Sequence, residues 1–357
     1  MPRPLTRAIE FAEAYGLRIP ILMAPMAGAC PVSLAIAVGN AGGMGACGTL
    51  LMQPEAIAAW VAEYKSGSNG AFQLNIWVRD PEPVRDAENE SHLRDFLSEW
   101  GPPVPGDAAD RTPPDFDAQC DAMLAANPHV ISSIMGAFSE SFVRRMKDAN
   151  IRWFVTATTV KEALMAQEAG ADAIVAQGME AGGHRGTFDA ADAEADLVGL
   201  FSLLPAVVDA VDVPVIATGG IADARGVAAA LMLGASAVQI GTGLLRAPEA
   251  KIAQVWADAI GSLKPEDTIV TRAFSGRLGR SVRNRYALAA ASSDAPTPAP
   301  YPVQRGLTQA MRDEATREGD IDRMQAWAGQ SGRLARPDPA GQIVADLWRD
   351  AAAMLSG

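Results

Sequence analysis

Short apolar runs alternate with helix-like stretches along most of this chain, and no other feature limits its possible folds so strongly. Eight runs read as strands, at residues 19–24, 44–50, 71–78, 130–135, 152–157, 173–177, 213–218 and 237–240. Runs this short, bounded by glycine, proline or polar residues, suit strands buried on both faces. Nearly every gap holds a stretch that reads as helix, at residues 32–40, 54–65, 139–150, 160–169, 197–210, 223–233 and 248–261. Eight β/α units over roughly 250 residues match the size of a TIM (β/α)8 barrel. A doubly wound parallel sheet is the alternative reading of the same α/β alternation.

Glycine placement helps to separate the two. Gly43-Met44-Gly45-Ala46-Cys47-Gly48 fits the spacing G-x-G-x-x-G. A dinucleotide fingerprint needs those glycines between a strand and the following helix, whereas this segment runs into a strand. The match is read as accidental, and the barrel is preferred.

Two regions depart from the alternation. Residues 79–129 form a long β3–β4 insertion of 51 residues with eight prolines and a net charge of −8. A loop after the third strand emerges on the catalytic face of a barrel, so a lid or pocket wall is one reading; a solvated acidic elaboration is the other. After residue 263 the pattern changes. Residues 271–286 carry Arg272, Arg277, Arg280, Arg283 and Arg285 with no acid, residues 289–302 read as a linker, and helices are expected at 307–328 and 343–355. The division expected is a ligand-binding barrel over residues 1–263 and a C-terminal helical, substrate-side extension over 264–357, packed beside or over the barrel.

Charge and cysteine usage exclude several functions. The net charge of −12 argues against a nucleic-acid surface. No run approaches the 18 apolar residues of a membrane span, and the first 30 residues lack a signal-peptide pattern. Cys30, Cys47 and Cys120 are odd in number and widely spaced, and with His92, His129 and His184 they form no metal-ligand pattern. Buried thiols in a reducing cytoplasm are expected.

The chemistry concentrates at the ends of the strands. The sixth strand runs into Gln177-Gly178-Met179-Glu180-Ala181-Gly182-Gly183-His184-Arg185-Gly186. Gly182 and Gly183 let backbone approach a planar ligand, and His184 is a base suited to neutral pH. The seventh strand ends in Thr218-Gly219-Gly220-Ile221 and the eighth in Gln239-Ile240-Gly241-Thr242-Gly243. In TIM barrels these two ends make the usual phosphate cradle, from glycine amides and a helix N-terminus. Ala24, Pro25 and Met26 make a rigid apolar shelf after the first strand, and Asn75 and Gln177 are polar groups in apolar strands that need partners. Phosphate, shelf and amides together suggest a phosphorylated flat cofactor, of which flavin mononucleotide (FMN) is the natural candidate. Glu180, Arg185 and the 272–285 arginines are open to two readings, as anion-attracting groups or as solvated surface charges.

These segments resemble the nitronate monooxygenase family, formerly 2-nitropropane dioxygenases, of the FMN-dependent TIM-barrel type. The matching pieces are Ala24-Pro25-Met26, Gln73-Leu74-Asn75, residues 177–186, Thr218-Gly219-Gly220-Ile221, Gln239-Ile240-Gly241-Thr242, residues 272–286 and Trp327-Ala328-Gly329-Gln330. The resemblance implies that Asn75, Gln177, Gly182, Gly220 and Gln239, Ile240, Gly241 and Thr242 contact FMN, and that His184 is the base above it. A nitroalkane or nitronate would then be oxidised by O2 to a carbonyl compound and nitrite. An NAD(P)H-dependent FMN reductase of the enoyl-acyl-carrier-protein or quinone type shares the scaffold and stays open. So do a barrel that binds a phosphorylated ligand without turnover, and assembly as a homodimer.

Overall fold

The structure is a computed structural model that describes residues 3–356. All eight expected strands form, as Ile21–Met23, Gly45–Gly48, Phe72–Trp77, Val130–Ile134, Arg152–Ala157, Ala173–Gln177, Val215–Thr218 and Ala237–Ile240. Every pair is parallel, the first strand lies beside the eighth, and a Leu22–Met44 bridge joins the first to the second. The order therefore runs round a ring, which sets aside the doubly wound alternative with its two free edges. Gly45 and Gly48 lie inside the second strand, so the G-x-G-x-x-G spacing is indeed accidental.

Strand alternation sorts side chains between the inside of the ring and the helical layer around it. Leu22, Met44, Val130, Phe154, Val175, Ile216 and Ala237 fill one apolar layer inside. Toward the C-terminal strand ends the interior turns polar. Gln73 Nε2 donates to the Met23 carbonyl and to Gln239 Oε1, and Gln73 Oε1 accepts from Ser132 Oγ. Asn75 Nδ2 donates to the same Ser132. A helix that the strand alternation does not signal, Pro4–Ala14, sets Phe11 and Ala12 against the apolar layer and closes that end of the barrel. The open mouth is thus the polar end.

The 79–129 insertion is more built than either reading supposed. Its helix Phe116–Ala126 packs on Pro54–Gly67 in the barrel's outer layer. Its helix Ala87–Ser98 sets Leu93 and Leu97 into a second core with Phe274, Tyr286, Val303, Leu307 and Met311 from the C-terminal part. Asp80 pairs with the buried Arg277 across the same junction.

Three features of the C-terminal part differ from expectation. Thr268–Thr271 and Gly279–Val282 form antiparallel strands. The helix expected at 307–328 is instead Val303–Leu307 and Gln309–Glu318, and it stops where Gly319 turns left-handed at φ +67°. Residues 320–331 continue without helix, and Trp327 bridges to Ser281. The last helix, Ala340–Ser356, packs back on the barrel helices Val32–Ala41 and Ala224–Met232. Among the described residues no helix is long and apolar enough to cross a membrane.

Candidate active site

Gly183 and His184 form a short third strand beside Gly279–Val282, with Gly279 opposite His184 and Arg280 opposite Gly183. Arg185 N–H extends the pairing to the Leu278 carbonyl at 2.8 Å. The glycine-histidine segment after the sixth barrel strand is therefore edge-paired rather than a free loop. Gly182 has to be glycine because residues 328–329 cross it, and a Cβ there would run into Gly329 N and lie 2.6 Å from Ala328 C. Gly183 is glycine for another reason. Its φ is +77°, and a Cβ would project into open space.

The histidine is fixed from three sides. Its Nε2 lies 2.7 Å from Ser275 Oγ, and the same hydroxyl donates to the Arg277 carbonyl at 3.2 Å. Trp77 and Trp327 pack edge-on against the imidazole, with ring centroids 4.5 and 4.8 Å away. Gln177 Nε2 donates to the His184 carbonyl at 3.0 Å and Gln177 Oε1 accepts from Gly186 N at 2.8 Å. Burial, then the nearby charges of Arg305, Arg277 and Arg312, pushes the imidazole down to about 3, so the ring is neutral at physiological pH.

His184 lines a cavity of about 460 Å³ at the C-terminal ends of the strands. Ala24, Pro25 and Met26 line it after the first strand, Asn75 at the third and Gln177, Gly182 and Gly183 after the sixth. Gly219 and Gly220 line it after the seventh strand, and Gln239, Gly241 and Thr242 after the eighth. Ile240 lies outside this lining, because its side chain is buried in the core between barrel and helices. Gln177 lines the cavity, and one donor and one acceptor position of its amide hold the His184 segment.

The groups left over suit a phosphorylated planar ligand. Gly219 and Gly220 take φ of +107° and +69°, and among the described residues neither N–H has a hydrogen-bond acceptor. Thr242 Oγ1 accepts from Gly329 N at 3.0 Å, which leaves its proton for a ligand. Deeper in the barrel, Asn75 Oδ1 and Gln239 Nε2 lack partners among the described residues, one an acceptor and the other a donor. The helix N-terminus expected to help is capped by the Asp223 carboxylate through Gly226 N, and no residue of Ala224–Met232 lines the cavity. The cradle thus rests on the glycine turns.

Several charged residues change role. Arg185 is buried and donates to the carbonyls of Gln177, Thr158 and Asp196, so it is neither a surface charge nor an anion trap. Glu180 accepts from Leu200 N and caps the helix Leu200–Ala210. In the 272–285 cluster, Arg272 pairs with Glu194, Arg277 with Asp80 and Arg283 with Asp267, while buried Arg280 donates to the Met179 carbonyl. None of the five lines the cavity. Arg305 and Arg312 do, together with Trp77 and Ser275. Nothing local in the sequence marks these four as cavity residues: even Ser275, just before Gly276 at φ +90°, lies in a stretch whose visible feature is its arginines. No residue of 79–129 lines the cavity.

Comparison with known proteins gives consistent matches. The sequence model of the nitronate monooxygenase family matches residues 11–350. A probable nitronate monooxygenase of Staphylococcus aureus strain MSSA476 is 36% identical over 345 residues, covering 95% of this chain and 96% of the relative. Among solved structures, nitroalkane oxidase from Streptomyces ansochromogenes is similar with a TM-score of 0.86 and 32% identity, over 97% of this chain and 99% of the other. FabK from Thermotoga maritima is similar with a TM-score of 0.76 and 27% identity, over 97% of each chain.

Proposed function

The chain belongs to the nitronate monooxygenase family, and from that premise we propose that it oxidises alkyl nitronates or nitroalkanes with O2 to a carbonyl compound and nitrite. The observation that carries this reading is a neutral, immobilised His184 in the same cavity as two glycine turns with unused amides. FMN fits those leftovers. Gly219, Gly220, Gly241 and Thr242 would hold its phosphate, Ala24, Pro25 and Met26 its ring face, and Asn75 and Gln239 its polar edge. Bound there, FMN would supply the redox chemistry, accepting electrons from the substrate and delivering them to O2.

His184 has two tasks that depend on the substrate. A neutral nitroalkane must lose its α-proton, and a neutral imidazole accepts it. With the Ser275 proton on the Arg277 carbonyl, Nε2 carries the ring hydrogen and Nδ1 keeps the lone pair. A nitronate arrives deprotonated, and His184 then serves to position it. Trp77 and Trp327 pack against two sides of the imidazole, and burial keeps the ring neutral, with a lone pair to accept the proton.

Likeness to FabK supports a second reading, NAD(P)H-dependent flavin reduction of the enoyl-acyl-carrier-protein or quinone reductase type. One experiment separates the two. The purified protein is titrated anaerobically with propionate 3-nitronate and separately with NADH, following its visible spectrum. Bleaching by nitronate but not NADH, with O2 consumed on re-aeration, is the expected result. Bleaching by NADH alone would transfer the chain to the reductase reading. A protein that is colourless and takes up no FMN would sink both.

A further inference from the structure

The C-terminal part contributes two guanidinium groups to the His184 cavity, and among the described residues neither is bonded to a carboxylate. Arg312 is buried, and all its partners are neutral: Thr308 Oγ1, Gln325 Oε1, Gln309 Oε1 and the Arg305 carbonyl, at 2.7–3.1 Å. Arg305 is half-buried, and among the described residues its guanidinium has no hydrogen bond or ion pair at all. Among the described residues the one carboxylate in the cavity lining belongs to exposed Asp313, which accepts from Gln309 Nε2 at 2.6 Å.

A partly desolvated guanidinium with no bonded partner costs free energy; burial pulls Arg305 below the ordinary guanidinium value, and Tyr301 and Asp313 offset that only in part. The charge is also felt at the base, because Arg305 is the foremost of the three arginines that depress His184. A guanidinium fork matches a planar group with two equivalent oxygens. The nitronate NO2 group and a carboxylate share that shape and charge.

We propose that Arg305 is a specificity-determining residue that receives a planar two-oxygen monoanion on the substrate, and that Arg312 is a positioning residue that holds it. Arg312 acts through its 2.9 Å bond to the Arg305 carbonyl, which ties down the end of the helix Val303–Leu307. The inference deepens the proposed nitronate reading and rests on it for the identity of the substrate, but not for the existence of the anion site. It ranks nitronates above neutral nitroalkanes. It also makes the product nitrite, itself a two-oxygen monoanion, a competitor for the same residue.

The test uses the holoprotein and its Arg305→Met and Arg305→Lys variants, with Arg144→Met on an outer helix as control. First, propionate, which has no nitro group to react, is titrated while tryptophan fluorescence is followed, since Trp77 and Trp327 flank His184. Arg305→Met should weaken propionate binding about 10- to 100-fold, with Arg305→Lys between it and the parent. Second, kcat/KM is measured for propyl-1-nitronate, propionate 3-nitronate and neutral 1-nitropropane. The nitronate-to-nitroalkane ratio should fall by at least about tenfold in Arg305→Met and hold in Arg144→Met. A fall confined to propionate 3-nitronate would identify the remote carboxylate as the group held, and a fall for both nitronates the NO2 group.

Unchanged propionate binding together with an unchanged ratio would overturn the proposal. Loss of propionate binding in a protein that turns over neither nitronate would leave the anion site standing and remove the nitronate reading instead.

Discussion

His184 Nε2 and Ser275 Oγ stand 2.7 Å apart although 91 positions separate them in the chain. The bond joins the segment after the sixth barrel strand to the turn between the two outer strands, and it orients the ring. Replacing Ser275 with Ala should lower kcat/KM for a neutral nitroalkane about tenfold, because the base loses its orientation, and should lower it less for the nitronate. Oxygen consumption with the two substrates checks this. Equal losses for both would mean that the hydroxyl supports binding, not proton removal.

The titration of His184 carries a second prediction. Its folded value is pushed down to about 3, first by burial and then by Arg305, Arg277 and Arg312. An imidazole in the unfolded chain protonates near pH 6.5. Below that pH the unfolded state binds the extra proton, so this group's contribution to stability is complete above about 6.5 and is lost as pH falls toward 3. kcat/KM for a nitronate should accordingly stay flat from about pH 8 to about pH 5, with no limb near the imidazole value. A limb centred between about 6 and 7 that vanishes in His184→Gln would show the ring titrating as a solvated one.

Gly182 and Gly183 should fail differently when changed to Ala. At Gly182 the new Cβ runs into the 328–329 backbone, so Trp327-Ala328-Gly329 must move away from His184 and Thr242. At Gly183 it meets nothing within 4 Å but must hold φ +77°, at a cost of about 1–2 kcal/mol. Thermal melting with the flavin-to-protein absorbance ratio tells them apart. Gly182→Ala should lose both stability and flavin, and Gly183→Ala mainly a few degrees of melting temperature. Similar behaviour of the two would contradict the packing at residues 328–329.

Asp80 and Arg277 connect the insertion to the segment carrying Ser275. The Arg277 side chain is 2% exposed and that of Asp80 22%. Asp80→Ala leaves a buried guanidinium with only the Thr187 carbonyl, and should cost about 3 kcal/mol of stability. Denaturant unfolding measures it. A change below about 0.5 kcal/mol would place this pair among ion pairs of no consequence. Since Arg277 also presents the carbonyl that takes the Ser275 proton, activity should fall along with stability.

How much of this was legible in the chain depends on the range of the interactions involved. Eight apolar runs, the glycine pairs at 182–183 and 219–220 and the lone histidine between them are local features. Each is dictated by strand burial or by a backbone angle that few residues adopt. They determined the barrel, the end of it that holds the cavity and the histidine that lines it. Ile240 was the exception within that set: strand alternation turns it into the core, between neighbours that face the cavity.

Only tertiary structure decided what surrounds His184. Ser275, Trp77, Trp327, Arg305 and Arg312 come from four separate stretches, and no periodicity or spacing relates them. Arginine shows the reason most clearly. Arg185 and Arg277 are buried and matched by carbonyls or a carboxylate, whereas Arg305 faces the cavity unmatched, yet in the sequence all three are the same residue. The identity of an arginine sets its charge; whether that charge is structural or free to meet a ligand depends on which distant acceptors the folded chain brings to it.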